Sequence, residues 1–295
     1  MCVIGPGRLG TTLVANLRRA GLPVSAIVGR REAANDRAAL PPLVTLADAA
    51  QVADVFWLTV PDDRIGTVAH DLAALLPGTT DRPLAAVHCS GLGSLTLLEP
   101  LRERGVTTLS VHPLQTFPGG APDAGAFVGV PFAVTAADDD GRLFGTAAVH
   151  DLGGLPFDLD DDAKPLYHLA ATVASNLLVA LESEAAGLMA AACGRGHDDA
   201  AALLAPLVST TAGNLGAHGA AQALSGPVAR GDVGTVRAHL ALLERHAPRF
   251  AQTYRALSLE ALTLAAPLLD DEAVRTLHKL LDDAPAAAAV REVAR

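Results

Sequence analysis

The first ten residues, MCVIGPGRLG, constrain the fold of this chain most strongly, because they space three glycines, Gly5, Gly7 and Gly10, as Gly-x-Gly-x-x-Gly. The pattern follows a short apolar run and opens a helical stretch at Thr11–Ala20, and a second apolar strand follows within about 30 residues. In such a unit the first glycine permits a tight turn, the second lets the backbone approach a pyrophosphate, and the third lets the helix pack against the strand. The helix N-terminus then offers free N–H groups to the anion. The segment predicts a dinucleotide-binding loop, with a glycine-rich turn that binds nothing as the alternative.

The end of the second strand distinguishes between the two nicotinamide cofactors. An NAD site usually has an acid there, which holds the ribose 2′-hydroxyl. Here the sequence reads Gly29–Arg30–Arg31, and two guanidinium groups suit a 2′-phosphate through bidentate, charge-assisted hydrogen bonds. A solvated pair of surface arginines is the alternative. We therefore predict NADP as the cofactor, bound by nine residues: Gly5, Gly7, Arg8, Leu9, Gly10, Arg30, Arg31, Val60 and Pro61.

Composition excludes several other classes of protein. The 295 residues carry a net charge of −10 with no basic run, which argues against a nucleic-acid partner. The three cysteines, Cys2, Cys89 and Cys193, lie far apart without metal-ligand spacing, so we predict no metal site and a reducing, cytoplasmic location. We see no signal peptide and no uninterrupted apolar run of about 18 residues, so we predict no membrane span. Only four residues precede Gly5, so either the natural start lies upstream or the first strand begins at the terminus.

The chain changes character near its middle. Short apolar runs alternate with helical stretches in the first half, as in a parallel sheet covered on both faces. Phe157–Asp162 is an acidic hinge, and the sequence is helical almost throughout after it, with Asp232 as the N-cap of one helix. The predicted fold is an α/β, doubly wound Rossmann-type sheet in residues 1–157 followed by an all-α domain in residues 158–295. The predicted strands are Val3–Ile4, Val24–Val28, Val52–Val60, Leu84–Val87, Thr107–Val111 and Phe132–Thr135.

Polar residues follow three of these strands, where ligands of doubly wound sheets bind. Asp62 or Asp63 is best explained as a cap of the next helix. Ser90, in HCSG, and His112 and Gln115, in VHPLQTF, are predicted to line the substrate site. The alternative is that His88 and His112 are structural and bond loop carbonyls. No role is assigned to His88.

The second domain opens with KPLYHLAATVASNLL, in which Lys164 and His168 share a helix face. Ser175 lies close to the same stripe, with Asn176 beside it, and both are predicted to line the substrate. Reduction of a ketone or imine by a nicotinamide needs a proton donor, and Lys164 or His168 can supply it if burial tunes its pKa. The alternative is a solvated lysine and a packed histidine. Arg230 and Asn214 receive no role.

Five segments together resemble a known family: VIGPGRLG, HCSG, VHPLQTF, KPLYHLAATVASN and GPVARGD. They are similar to Rossmann-like NADP-dependent oxidoreductases that carry a helical C-terminal domain of formerly unknown function and are relatives of pyrroline-5-carboxylate reductase. The resemblance implies a helical dimerisation domain. Some members resemble an alternative 2-dehydropantoate (ketopantoate) reductase. In the broader β-hydroxyacid dehydrogenases a lysine opens the second domain and an asparagine follows one turn later. Lys164 fits that lysine, whereas His168 replaces the asparagine, so the proton donor stays open between them.

The leading hypothesis is therefore an NADPH-dependent reductase of a small 2-oxo acid, with ketopantoate as the best single candidate. An imine reductase of the pyrroline-5-carboxylate type is the second hypothesis, and a non-catalytic NADP-binding sensor is the third. The expected partners are a small-molecule substrate and a second copy of the chain, bound through the C-terminal helices, because apolar helical surface of this kind usually pairs.

Overall fold

The computed structural model describes residues 1–29, 40–76, 84–119 and 121–282. The chain divides into two compact units between Asn176 and Leu177. The domain boundary that the sequence predicts, between residues 157 and 158, falls before this division and stays a prediction.

The first unit is built on a sheet of seven strands in the order β2-β1-β3-β4-β5-β6-β7. The strands from β2 to β5 in this order are parallel, β6 is antiparallel to β5, and β7 is parallel to β6. This mostly parallel sheet, followed by helices, confirms the predicted fold class. The strands are β1 (Cys2–Ile4), β2 (Ala26–Val28), β3 (Val55–Leu58), β4 (Ala85–His88), β5 (Thr107–Pro113), β6 (Pro131–Ala136) and β7 (Leu155–Asp158).

Helices cover both faces of this sheet, because alternate residues of its central strands are apolar on opposite sides. Phe56 packs into the core beneath one face and its neighbour Trp57 into the core beneath the other, and both are buried. The first face is covered by α2, α3 and α4, and the second by α1 and α5. The described helices of this unit are α1 (Arg8–Arg19), α2 (Leu46–Val52), α3 (Asp62–Leu75), α4 (Glu99–Arg102), α5 (Asp139–Asp151) and α6 (Lys164–Thr172).

Several element boundaries differ from the sequence-based predictions, and two of these differences change the interpretation. The strand predicted at Val52–Val60 is shorter, since β3 begins at Val55 and Val52 ends α2 with an exposed side chain. The acidic hinge predicted at Phe157–Asp162 begins inside a strand, because Phe157 and Asp158 belong to β7. The residues of β7 are partly or fully exposed at the sheet edge, so the strand lacks the apolar run that marks a buried strand.

The second unit is helical in its described residues. A π-helical turn at Val173–Leu177 precedes its first helix. Three of its later helices, α10, α11 and α12, pack on one another and share a small apolar core. Asp232 caps α10 as predicted, since its carboxylate accepts from the Thr235 N–H at 3.0 Å. The helices are α7 (Leu178–Cys193), α8 (His197–His218), α9 (Ala220–Ala223), α10 (Val233–His246), α11 (Ala251–Ala265) and α12 (Asp271–Asp282).

The first helices of the second unit are apolar and exposed. Two helical stretches, Asp161–Cys193 and His197–His218, have the length and composition of a membrane span, and only 6% of the apolar window of each is buried. Length and composition alone are weak evidence for a membrane, because a helix that a partner covers has the same character. The absence of a membrane span therefore stays a prediction.

The close approach of α1 to the β1–α1 loop gives a test of the fold. A Cβ atom at Gly10 would lie 2.2 Å from the Gly5 carbonyl oxygen and 2.6 Å from Thr59 Oγ1, whereas one at Gly7 would meet nothing within 4 Å. We expect Gly10→Ala to lower the free energy of unfolding by about 1–3 kcal/mol, as overpacking does, and the control Gly7→Ala to change it much less. Urea denaturation followed by circular dichroism measures both. Equal stability of the two variants would contradict this packing.

Candidate active site

The glycine loop lies among the carboxyl ends of three strands. The Gly5 N–H donates to the Val28 carbonyl at the end of β2, and Thr59 Oγ1, just after β3, donates to the Gly5 carbonyl at 2.7 Å. Gly5 has a φ of +102°, and a Cβ there would lie 2.8 Å from the Val60 nitrogen. Only glycine fits such a position without strain. The tight turn expected of this residue is therefore present.

An open cradle lies at the N-terminus of α1. Gly7 is the N-cap, with no side-chain cap, and the first turn carries no acidic residue. The Gly7 N–H donates to the Gly5 carbonyl, whereas the N–H groups of Arg8, Leu9 and Gly10, in the first helical turn, have no acceptor within the helix and can bind an anion, as a pyrophosphate requires. Arg8 is exposed and Leu9 is half-buried beside them. Val60 is half-buried and Pro61 is exposed as the N-cap of α3, whereas Arg30 and Arg31 lie outside the described residues.

Lys164 is the centre of a second cluster, at the ends of β4 and β5. Lys164 is the first residue of α6 and is completely buried, with 0% of its surface exposed. Its Nζ donates to the Ser90 carbonyl at 3.0 Å and to Ser110 Oγ at 2.7 Å. Burial lowers the pKa of Lys164 to about 8, although Asp161 and Asp62 favour the charged form. The ammonium group is thus held at two strand ends and titrates near neutral pH.

Ser90 organises the turn after β4. Its Oγ donates to Asp62 Oδ2 at 2.6 Å and accepts from the Gly93 N–H at 2.7 Å. The interpretation of Asp62 or Asp63 as a helix cap was wrong: Pro61 is the N-cap of α3, both aspartates lie in its first turn, and the Asp62 side chain accepts from Ser90 instead. The reason is tertiary, because the partner of Asp62 is a hydroxyl 28 residues away in the chain, after β4.

His88 is a neutral imidazole beneath this turn. It is fully buried, and its Nδ1 accepts from the Ser90 N–H at 3.2 Å, so the proton is on Nε2. Burial, and then the charge of Lys164, lowers the pKa of His88 to about 3. Its Nε2 has no hydrogen-bond partner among the described residues.

His112 and His168 lie together against Gly91. A Cβ at Gly91 would be 2.8 Å from His112 Nε2 and 2.9 Å from His168 Cδ2. His112 Nδ1 is hydrogen bonded to Tyr167 Oη at 2.7 Å, with the two rings edge to face. Burial lowers the pKa of His112 to about 4 and raises that of Tyr167 to about 12, so both are neutral at pH 7.

The structure thus brings together four of the predicted site residues, Ser90, His112, Lys164 and His168. Gln115 is exposed, and its side chain accepts from the N–H of its neighbour Thr116. Ser175 and Asn176 lie in the π-helical turn after α6. Ser175 is half-buried in this turn and Asn176 is exposed.

Two residues of the cluster, Ser110 and Tyr167, escaped the sequence analysis, and a third, Asp62, was interpreted only as a helix cap. Ser110 left a signal, since it is a polar residue between the apolar residues Leu109 and Val111 of β5. Tyr167 left none, because an aromatic residue on an apolar helix usually packs in a core. No group of three or more His, Cys, Asp or Glu side chains among the described residues could hold a metal ion.

Family models match both parts of the chain. Residues 1–113 match a Rossmann-like domain, and residues 130–261 match a domain of unknown function, DUF2520. A sequence comparison with curated proteins finds no match.

Solved structures share the fold at low sequence identity. A proposed NADP oxidoreductase from Bacteroides fragilis is 23% identical, with a TM-score of 0.71 over 89% of this chain and 97% of that one. A protein from Thermotoga maritima is 22% identical, with a TM-score of 0.65 over 90% and 98%. Pyrroline carboxylate reductase from Plasmodium falciparum, solved with NADP bound, is 12% identical, with a TM-score of 0.57 over 90% and 97%. The chain therefore combines an N-terminal part that matches the Rossmann-like domain with a C-terminal part that matches the DUF2520 domain.

Proposed function

We propose that this protein is an NADPH-dependent oxidoreductase that reduces a small 2-oxo acid, with ketopantoate as the best single candidate. One observation carries the proposal: the glycine loop and the Lys164 cluster lie at the same carboxyl edge of one parallel sheet. Ligands of doubly wound sheets bind at that edge. A cofactor held by the loop and a substrate beside Lys164 would therefore meet there.

The residues of the loop fit a nicotinamide dinucleotide. Gly5 makes the tight turn, Gly7 leaves open space for a pyrophosphate, and the uncapped N-terminus of α1 offers it N–H groups. When bound, the nicotinamide would supply the hydride. Arg30 and Arg31 would bind the 2′-phosphate, and this preference for NADP rests on the sequence alone.

The proton would come from the Lys164 cluster. Hydride addition to a carbonyl carbon leaves negative charge on the oxygen, which Lys164 or His168 would protonate. Below its pKa of about 8, Lys164 also offers a positive charge that stabilises the developing alkoxide. Ser90, His112 and Gln115 would line the substrate from the sheet side, and Ser175 and Asn176 from the helix side.

Two other functions can be distinguished from this one by measuring turnover. The fold is shared with a pyrroline carboxylate reductase, and a cyclic imine carries its own proton at neutral pH, so its reduction does not need Lys164. A non-catalytic NADP-binding sensor would need the glycine loop but neither Lys164 nor His168.

We expect the protein to oxidise NADPH in the presence of a 2-oxo acid, with a KM for NADPH about tenfold below that for NADH, because two arginines suit the 2′-phosphate. The rate of NADPH oxidation is measured from the absorbance at 340 nm with a panel of 2-oxo acids, which includes ketopantoate, and a panel of cyclic imines. Turnover of imines alone would favour the second function, and NADPH binding without any turnover would favour the sensor. A tenfold preference for NADH would contradict the assignment of Arg30 and Arg31.

Lys164→Met is expected to lower kcat for a 2-oxo acid about 10²-fold, the usual contribution of a proton donor. In the wild type, kcat is expected to be constant below pH 8 and to fall above it, because the protonated form disappears as pH rises through a pKa of about 8. Steady-state kinetics from pH 6 to pH 10 measures both effects. The exposed Lys279, the chain's other lysine, supplies the control Lys279→Met. Full activity of Lys164→Met, with unchanged NADPH affinity, would contradict this role.

We further propose a cytoplasmic homodimer that covers the apolar faces of α7 and α8. Val179 on α7 and Leu207 on α8 are 69% and 63% exposed, and burial of such residues stabilises association by about 25 cal/mol per Å². Light scattering after size exclusion is expected to give twice the chain mass, and Leu207→Glu is expected to shift it toward the monomer. The control Leu268→Glu replaces an exposed leucine outside these helices. A monomeric wild type, or a wild type that sediments with phospholipid vesicles, would contradict the dimer.

A further inference from the structure

Tyr167 is held in one orientation by two neighbouring rings. Its ring meets that of His112 edge to face, with centroids 5.5 Å apart at 87°, and that of Phe157 with centroids 6.0 Å apart at 62°. Its hydroxyl oxygen lies 2.7 Å from His112 Nδ1. The position of Tyr167 and its hydrogen bond to His112 therefore allow it to fix which ring nitrogen of His112 carries the proton.

This hydrogen bond determines which nitrogen of His112 carries the proton. A phenol O–H is more acidic than a neutral imidazole N–H, and an imidazole nitrogen accepts better than a phenol oxygen, so the hydroxyl donates and Nδ1 accepts. In a neutral imidazole the hydrogen is then on Nε2. Lys164 and His168 on α6 disfavour a charged ring and Asp62 favours it, while burial keeps His112 neutral.

The second ring nitrogen of His112, Nε2, faces the turn after β4. A Cβ at Gly91 would lie 2.8 Å from Nε2 and collide with it, so the glycine leaves room for this nitrogen beside the turn. Ser90, whose carbonyl holds the Lys164 ammonium, comes directly before Gly91. The Nε2–H group is thus directed to the region where the proposed substrate would lie.

We propose that Tyr167 is a positioning residue, which holds His112 as the Nε2–H tautomer so that His112 donates a neutral hydrogen bond to the substrate's carbonyl oxygen. The inference rests on the proposed function for its substrate. As hydride forms a bond to the carbonyl carbon, the π-electron pair of the C=O bond moves to the oxygen. His112 stabilises that charge without giving up its proton, and Lys164 or His168 protonates the oxygen.

Tyr167→Phe removes the hydroxyl and retains the ring, and the chain supplies a matched control. Tyr254, its only other tyrosine, has its Oη 2.9 Å from His239 Nδ1, with ring centroids 5.9 Å apart at 80°. We expect Tyr167→Phe to lower kcat/KM for the 2-oxo acid about tenfold, as loss of one hydrogen bond does, with the Kd for NADPH unchanged. Tyr254→Phe is expected to leave both constants unchanged.

Long-range ¹H–¹⁵N correlation spectra of the full chain report the tautomer directly, without substrate. The signals that disappear in His112→Gln assign the ring. We expect a pure Nε2–H pattern in the wild type and in Tyr254→Phe, and a mixture of tautomers in Tyr167→Phe.

The two measurements separate the failure of this inference from that of the proposed function. A wild type that turns over but has its His112 proton on Nδ1, or a Tyr167→Phe variant with unchanged tautomer and kcat/KM, would overturn the role of Tyr167. A wild type that shows the Nε2–H tautomer but reduces no 2-oxo acid or imine would overturn the proposed function, and with it the role of His112 toward a carbonyl oxygen.

Discussion

The buried ammonium group of Lys164 is the interaction on which the candidate site depends. Its two hydrogen bonds, to the Ser90 carbonyl and to Ser110 Oγ, tie the first turn of α6 to the ends of β4 and β5. A buried charge persists only when such partners replace water. Because these bonds fix the start of α6, they also fix Tyr167 and His168 against His112 and Gly91.

Burial gives the ionisable groups of this cluster different protonation states. It lowers the pKa of His88 and His112 far below neutral and raises that of Tyr167, so these three stay uncharged at pH 7. Lys164 keeps a pKa of about 8 because Asp161 and Asp62 oppose the effect of burial. A cationic group beside neutral hydrogen-bond donors suits a reaction in which negative charge develops on a substrate oxygen.

Most of the fold follows from patterns that are local in the sequence. The glycine spacing of the first ten residues and the apolar runs of the central strands predicted the doubly wound sheet. The carboxyl ends of the strands predicted Ser90 and His112 as residues of one site. The edge strand β7 and the antiparallel direction of β6 were not predictable in this way, because an exposed edge strand lacks an apolar run and strand direction depends on pairing partners.

The sequence by itself determined the sheet, the glycine loop and the identity of a lysine at the start of α6, since each depends on residues adjacent in the chain. Only the tertiary structure decided which groups face one another: Asp62 with Ser90, Ser110 with Lys164, and Tyr167 with His112. These pairs join residues that are far apart in the chain, and their geometry is set by the register of β4 and β5 and by the packing of α6 on them, which no local pattern records.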